Sequence, residues 1–348
     1  MALAPAIPKV HLHCHLEGSL RGATFVELAD KYGVPLRYHP SGREWTRSGD
    51  SIPVDRSDPY RFRDFEEFLL AFAAVSRTLA HPDDYGRLAR EFVADALAQN
   101  VIYGELFVSP SVWSFFHPAL DVRAAFSAIA AELRAARPDA IFRLIVDLTR
   151  NFGAASALQT AKLAATLGDV DVIGIGLGGD EVRFPPHLFV GAFDYAHAAG
   201  LHCVAHAGEA AGPESVHSAV THLRAERIGH GIAALRDRSV VELLANEGVP
   251  LEICPTSNEI TGSAWPNGHA FLDFDRAGCV VTIDADDPPM FHTSIEAEYA
   301  IVERAAGTDT LVRYVRNAID SSFADPQLKQ AMHERLATEL EAVRRSQR

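Results

Sequence analysis

Eight short runs of apolar and β-branched residues recur along the chain, mostly separated by stretches in which Ala, Leu and Arg repeat at helical spacing. The runs are Lys9–His15, Val101–Ser109, Phe142–Thr149, Val172–Gly179, His202–Gly208, Arg227–Gly231, Pro250–Pro255 and Cys279–Asp284. Strands that alternate with helices read as βαβ units in a parallel sheet. Eight such units predict an α/β fold, a closed (β/α)8 TIM barrel. An open doubly wound sheet is the alternative on pattern alone.

One connection is far too long for a single helix. After the first run comes a helix near Thr24–Tyr32, then an irregular stretch from Val34 to Arg63 punctuated by Pro35, Pro40, Gly42, Gly49, Pro53 and Pro59. Two helical patterns follow, near Asp64–Leu79 and Pro82–Gln99. Connections of this length in a compact domain are commonly lids or binding loops. Residues 34–100 are therefore expected to form a lid-like helical insertion, with a disordered insertion as the alternative. Helical patterns at Ser294–Ala306, Asp309–Phe323 and Pro326–Arg345 are expected to pack outside the barrel. The whole of 1–348 is read as one hydrolase domain.

Composition narrows the partners. A net charge of −14 argues against a long nucleic-acid ligand; only four of the 32 basic residues are lysines, Lys9, Lys31, Lys162 and Lys329. Four cysteines, Cys14, Cys203, Cys254 and Cys279, lie far apart in apolar runs and form no CxxC pair. They read as buried reduced thiols, which fit a cytoplasmic protein. The N-terminus carries no signal-peptide pattern, and no apolar run reaches membrane-spanning length.

The candidate chemistry sits at the ends of the apolar runs. His13 and His15 close the first run, and strand alternation puts both on one face, with His11 on the same face but deeper. Paired imidazoles inside a barrel are costly unless something binds them, and a metal is the obvious partner. The fifth run ends in His206-Ala207-Gly208-Glu209, the sixth in Gly229-His230-Gly231, and Asp284-Ala285-Asp286-Asp287-Pro288 ends the eighth. Taken singly, His206 could be a core histidine, Glu209 a carboxylate at a helix start, and Asp286-Asp287 a capping turn. Together they fall where barrel enzymes carry their catalytic groups, at the carboxyl ends of strands. Three imidazoles and a carboxylate make a nitrogen and oxygen ligand set suited to one Zn²⁺ with a position left open for water.

In these residues the chain resembles the adenosine deaminases and their adenine and aminodeoxyfutalosine deaminase relatives in the amidohydrolase superfamily. The resemblance runs from Pro8 to about Tyr299. It is carried by Pro8-Lys9-Val10-His11-Leu12-His13-Cys14-His15-Leu16-Glu17-Gly18-Ser19, Leu177-Gly178-Gly179-Asp180-Glu181, His206-Ala207-Gly208-Glu209, Arg227-Ile228-Gly229-His230-Gly231, Cys254-Pro255-Thr256-Ser257-Asn258 and Asp286-Asp287-Pro288. The resemblance implies zinc ligands His13, His15, His206 and Asp286, with one Zn²⁺ per chain. It implies that Glu209 protonates N1 of a purine, that His230 orients the attacking water, that Asp287 holds N7, and that the Gly179 backbone meets N3. Asp180 and Glu181 read as supports of the site.

Three positions depart from the commonest adenosine deaminase pattern. Glu17 stands where adenosine-specific members usually have an Asp on the ribose, Phe107 where Arg is frequent, and Gly176 where an acidic residue is common. The expected reaction is hydrolytic deamination of a small-molecule 6-aminopurine nucleoside, adenosine first. Aminodeoxyfutalosine and free adenine are the alternatives that Glu17 keeps open. Arg37, Arg43, Arg47, Arg56, Arg61 and Arg63 read as solvated charges, or as candidates to hold an anionic 5′ group. Among rival functions, a binuclear barrel hydrolase lacks a bridging lysine on an inner strand. The base-flipping zinc deaminases use H-x-E with P-C-x-x-C, which is absent. An inactive binding relative would be expected to have lost a ligand or the acid. The sequence leaves the oligomeric state open.

Overall fold

The structure is a computed structural model that describes residues 2–38, 52–62, 64–266 and 268–346. Its main sheet has eight parallel strands: β1 (Lys9–His15), β2 (Val101–Val108), β3 (Ile141–Thr149), β4 (Val172–Gly178), β5 (His202–Ala207), β6 (Arg227–His230), β7 (Leu251–Ile253) and β8 (Val281–Ile283). Each strand pairs with the next in sequence. The ring closes where the chain just after β8 bridges back to β1: His15 N donates to Asp286 O at 2.9 Å and Asp286 N to His13 O at 3.0 Å. This is the predicted TIM barrel. All eight strands lie within the expected runs, give or take two residues.

Alternation along each strand sorts the side chains. Phe107, Ile145 and Val204 meet inside the barrel as a separate apolar cluster, while the larger core lies between strands and helices. That layering is how a TIM barrel fills its interior. The four cysteines are free and buried, as expected. Burial lifts the Cys203 thiol to about 12 and Cys279 to about 11, so neither is a nucleophile near neutrality.

The long connection after β1 holds α1 (Gly22–Tyr32), α2 (Phe65–Thr78) and α3 (Pro82–Ala98). Asp64 starts α2 by accepting from the Glu67 amide, which satisfies one of the helix's free N–H groups. Pro82 opens α3, where its missing N–H costs nothing. A two-residue antiparallel ribbon, Arg37–Tyr38 with Ile52–Pro53, interrupts the stretch expected to be irregular. Short helices connect the remaining strands, among them α4 (Pro110–Phe116) after β2. Three helices close the chain at 295–306, 308–321 and 326–346, matching the expected C-terminal segments. No helix among the described residues is long and apolar enough to cross a membrane.

Candidate active site

The mouth of the barrel at the strands' carboxyl ends gathers the expected residues. His13 and His15 come from β1, His206 from β5 and His230 from the end of β6. Asp286 and Asp287 follow β8, and all six are buried. The Asp286 carboxylate is the meeting point: Oδ1 lies 3.4 Å from His13 Nε2 and 3.5 Å from His15 Nε2. The Nε2 atoms of His15 and His206 are 3.1 Å apart. Four ligands about 2.0–2.1 Å from one Zn²⁺ would stand about 3.3 Å from each other. His230 belongs to the same ring, its Nε2 3.9 Å from Asp286 Oδ2 and 3.7 Å from Glu209 Oε2. His13, His206, His230 and Asp286 form one group with metal-binding separations, and His15, Asp286 and Asp287 a second.

The donor chemistry fits a cation. Burial pushes His15 down to about 3 and His230 to about 4, so both rings are neutral near pH 7. His13 differs. Burial opposes its charge, but the Asp286 and Glu252 carboxylates beside it outweigh burial and lift it to about 10. The site therefore favours positive charge between these carboxylates. Nε2 of His13 and of His230 and Nδ1 of His206 are buried without a partner. Buried polar atoms are rarely left so unless something else meets them.

The ligand candidates other than His15 are fixed from behind. His13 Nδ1 bonds Glu252 Oε2 at 2.7 Å, and Glu252 Oε1 accepts from Arg227 Nε at 2.5 Å. Arg227 also donates to Glu105 at 2.5 Å, and its guanidinium lies 3.8 Å from the Phe323 ring centroid. Asp284 Oδ1 receives the amides of Leu12 and His13 at 2.6 and 3.1 Å, which pins the end of β1. Ser257 Oγ donates to Asp286 Oδ2 at 2.6 Å, and Asn258 Nδ2 to His230 Nδ1 at 2.9 Å. Arg150, fully buried, donates to the His206 carbonyl at 2.5 Å. A carboxylate behind a ligating imidazole fixes its tautomer and raises its basicity. Glu252→Gln should therefore weaken metal binding about 10–100-fold. Competition with a calibrated chelator reads that directly, and unchanged affinity would remove Glu252 from this role.

The loop after β5 carries Glu209. Glu181 accepts the amides of Gly208, Glu209, Ala210 and Ala211 at 2.5–3.2 Å, so the predicted supporting role takes the form of a carboxylate anchor. Burial, then the Asp286 and Glu181 charges, push the Glu209 carboxyl well above the usual range. Burial, then the Asp286 charge, raises Asp287 as well, and neither of its oxygens has a partner. Its room comes from Gly18, where a Cβ would stand 1.5 Å from Asp287 Oδ1. Asp180 binds Arg183 and donates its amide to Asn151 at 3.0 Å, a local turn beside the site.

A cavity of about 60 Å³ lies over this cluster. Phe65, Phe68, Leu69 and Phe72 of α2 form one wall, and Asp147, Gly178 and Gly179 line it elsewhere. A larger cleft outside shares Phe65 and Glu209 with it. Glu17 is completely buried and does not line the cavity. Its Oε1 accepts from Ser109 N at 2.7 Å and Trp113 Nε1 at 2.6 Å, while Oε2 is unpartnered.

Phe107 and Gly176, two departures that the sequence left unexplained, are one steric pair. A Cβ at Gly176 would stand 2.6 Å from a Phe107 ring carbon. The Phe107 ring fills that space and packs beneath His15, His13 and His206, with centroids 5.1, 4.9 and 5.5 Å away. An apolar ring thus floors the cluster where a charged side chain was expected.

The arginine reading fares differently. Arg56 pairs with Asp30 and Arg61 with Asp58, all on the surface and away from the cavity lining. Arg43, Arg47, Arg63 and the Arg37 side chain lie outside the described residues. Lys9 sits at the start of β1 with Nζ on the Ile7 carbonyl at 3.0 Å, remote from any bridging position.

Sequence reasoning missed Glu105, Asp147, Arg150, Arg227, Glu252 and Asp284 as supporting or lining groups. A visible signal existed: each is a charged residue within or at the end of a run that is otherwise apolar.

Comparison with known proteins bears on this site. The adenosine deaminase family profile matches residues 8–339. An adenine deaminase of Chelativorans sp. (strain BNC1) is 35% identical over 340 residues, covering 96% of this chain and 99% of that protein. An aminodeoxyfutalosine deaminase of Streptomyces avermitilis is 36% identical over 329 residues, covering 92% and 87%. The crystal structure of an amidohydrolase from Burkholderia ambifaria, with bound Zn, superposes with a TM-score of 0.83 at 26% identity, covering 99% of this chain and 93% of that one.

Proposed function

The chain belongs to the adenosine deaminase family and is a hydrolase acting on C–N bonds of adenine-like substrates; on that premise we propose that it converts free adenine and water to hypoxanthine and ammonia. The observation that carries this choice is Glu17. The adenosine expectation needs a group here that is free to meet ribose. Glu17 is fully buried and absent from the cavity lining; Oε1 is committed to Ser109 and Trp113, and Oε2, though unpartnered, is buried as well. The phenylalanine wall also suits a flat aromatic base. The proposal departs here from the nucleoside favoured by the motifs.

In this reading His13, His15, His206 and Asp286 hold one zinc. His230 is set apart from the ligands by Asn258. Because the amide donates to Nδ1, neutral His230 carries its proton on Nε2 and offers a donor instead of a lone pair. A divalent ion bound there supplies Lewis acidity and lowers the pKa of water towards neutrality. His230 orients the attacking water and the oxygen that replaces the amino group. Glu209, protonated by its buried setting, delivers a proton to N1, which makes C6 electrophilic. Asp287, also protonated, donates to N7, and the Gly179 amide donates to N3. These contacts fix C6 over the nucleophile, a positioning effect. Gly179 has φ +101°, and a Cβ there would strike Asn151 Oδ1 at 2.4 Å, so only glycine brings this amide in.

The expected order of kcat/KM is adenine first, then adenosine, then a 5′-carboxyaryl adenosine. Steady-state kinetics on the three compounds decide it. A preference for either nucleoside would return the choice to the adenosine or aminodeoxyfutalosine reading.

A further inference from the structure

Asp147 closes β3 at the level of the ligands and belongs to no part of the mechanism above. It is 5% exposed, lines the cavity, and its Oδ1 has no hydrogen-bond partner. The nearest cation does not answer it. Arg150 directs its terminal nitrogens to the carbonyls of Phe184 and His206 at 2.7 and 2.5 Å. A buried carboxylate oxygen without a donor is costly, and such groups are found where a ligand completes them.

The opposite strand makes room for it. A Cβ on Gly176 would come within 2.9 Å of Asp147 Oδ1, and one on Gly178 within 2.5 Å of Oδ2. The two glycines on β4 therefore leave the Asp147 carboxyl facing backbone and the Phe107 ring, beside Gly178, one residue before Gly179. The apolar Phe107 ring beneath offers it no donor.

The chemistry of the base identifies what it would accept. With N1 on Glu209, N7 on Asp287 and N3 on Gly179, free adenine has one ring polar group left, N9–H. N9 and N3 are bonded to the same ring carbon, so N9–H lies on the Gly179 side of the base; Asp147 lines the same cavity beside the preceding Gly178. A nucleoside carries carbon at N9 and has no proton there.

We propose that Asp147 is the specificity-determining residue for free base over nucleoside, its carboxylate accepting the N9–H of adenine. The inference rests on the adenine reading above. A site built to bond an N–H rejects an analogue lacking it more strongly than a purely apolar pocket rejects added bulk.

The test compares adenine with 9-methyladenine, which differs only at that position. The wild-type enzyme should favour adenine by at least about 100-fold in kcat/KM. Asp147→Leu keeps the shape and removes the acceptor, so the adenine to 9-methyladenine ratio should fall about 10–100-fold. Asp147→Asn keeps a carbonyl acceptor and should lose less. Equilibrium binding of hypoxanthine against 9-methylhypoxanthine to the wild-type enzyme gives a second reading that needs no variant to fold, with at least about tenfold tighter binding of hypoxanthine expected. A ratio unchanged in both variants, an equal loss on both substrates, or equal binding of the two products would overturn the assignment while leaving adenine deamination standing. A wild-type enzyme that releases no ammonia from adenine would overturn both.

Discussion

Glu209→Gln keeps its metal and loses about 10²–10⁴-fold in kcat, the contribution expected of a general acid. Glutamine preserves the length and the loop, because the anchor of that loop is Glu181 gripping four backbone amides and not the Glu209 side chain. What is lost is a proton held beside the base. Burial and the neighbouring carboxylates of Asp286 and Glu181 keep Glu209 protonated in the range where an ordinary carboxylate would be ionised. The check is kcat on adenine together with elemental analysis of the same preparation. A zinc-replete variant turning over at the wild-type rate would remove Glu209 from the chemistry.

Asp286→Ala should lose the metal, and activity with it, whereas Asp287→Ala should keep the metal and lose turnover. The two carboxylates are neighbours with different surroundings. Asp286 faces Nε2 of both His13 and His15 and is held by Ser257, so removing it takes away the atom around which the cluster is arranged. The loss of affinity should exceed the about 10–100-fold typical of a residue that merely supports a ligand. Asp287 faces Gly18 with both oxygens free, and its loss removes a contact to the base. Metal content after exhaustive dialysis, set beside kcat/KM, separates the two. Equal metal loss in both variants would refute the division.

The fold was legible because its signals are local. Each β-strand is an apolar run bounded by helical spacing, and parity along β1 alone places His13 and His15 inside the barrel. The candidate ligands were legible because the chemistry fixes residue type and the fold fixes position at a strand's carboxyl end. Partners were not. Arg227 and Glu105 are 122 residues apart, and Glu252 reaches His13 across 239. Periodicity tells which face a side chain takes, not which residue it meets there. Glu17 shows the same limit at the substrate. The sequence reveals one methylene more than Asp, while the structure shows that Trp113 and Ser109 occupy one of its two oxygens. Phe107 and Gly176 looked like two separate departures until their packing made them one.

The buried histidine and aspartate cluster is proposed to deaminate a 6-aminopurine with one bound metal. The most direct measurement follows ammonia and 6-oxopurine from adenine while the metal is counted in the same sample. Expected are one ammonia and one hypoxanthine per adenine consumed, activity that disappears when the single metal is chelated, and recovery on adding zinc. Zinc-replete protein that releases no ammonia from adenine, adenosine or a 5′-substituted adenosine would contradict it.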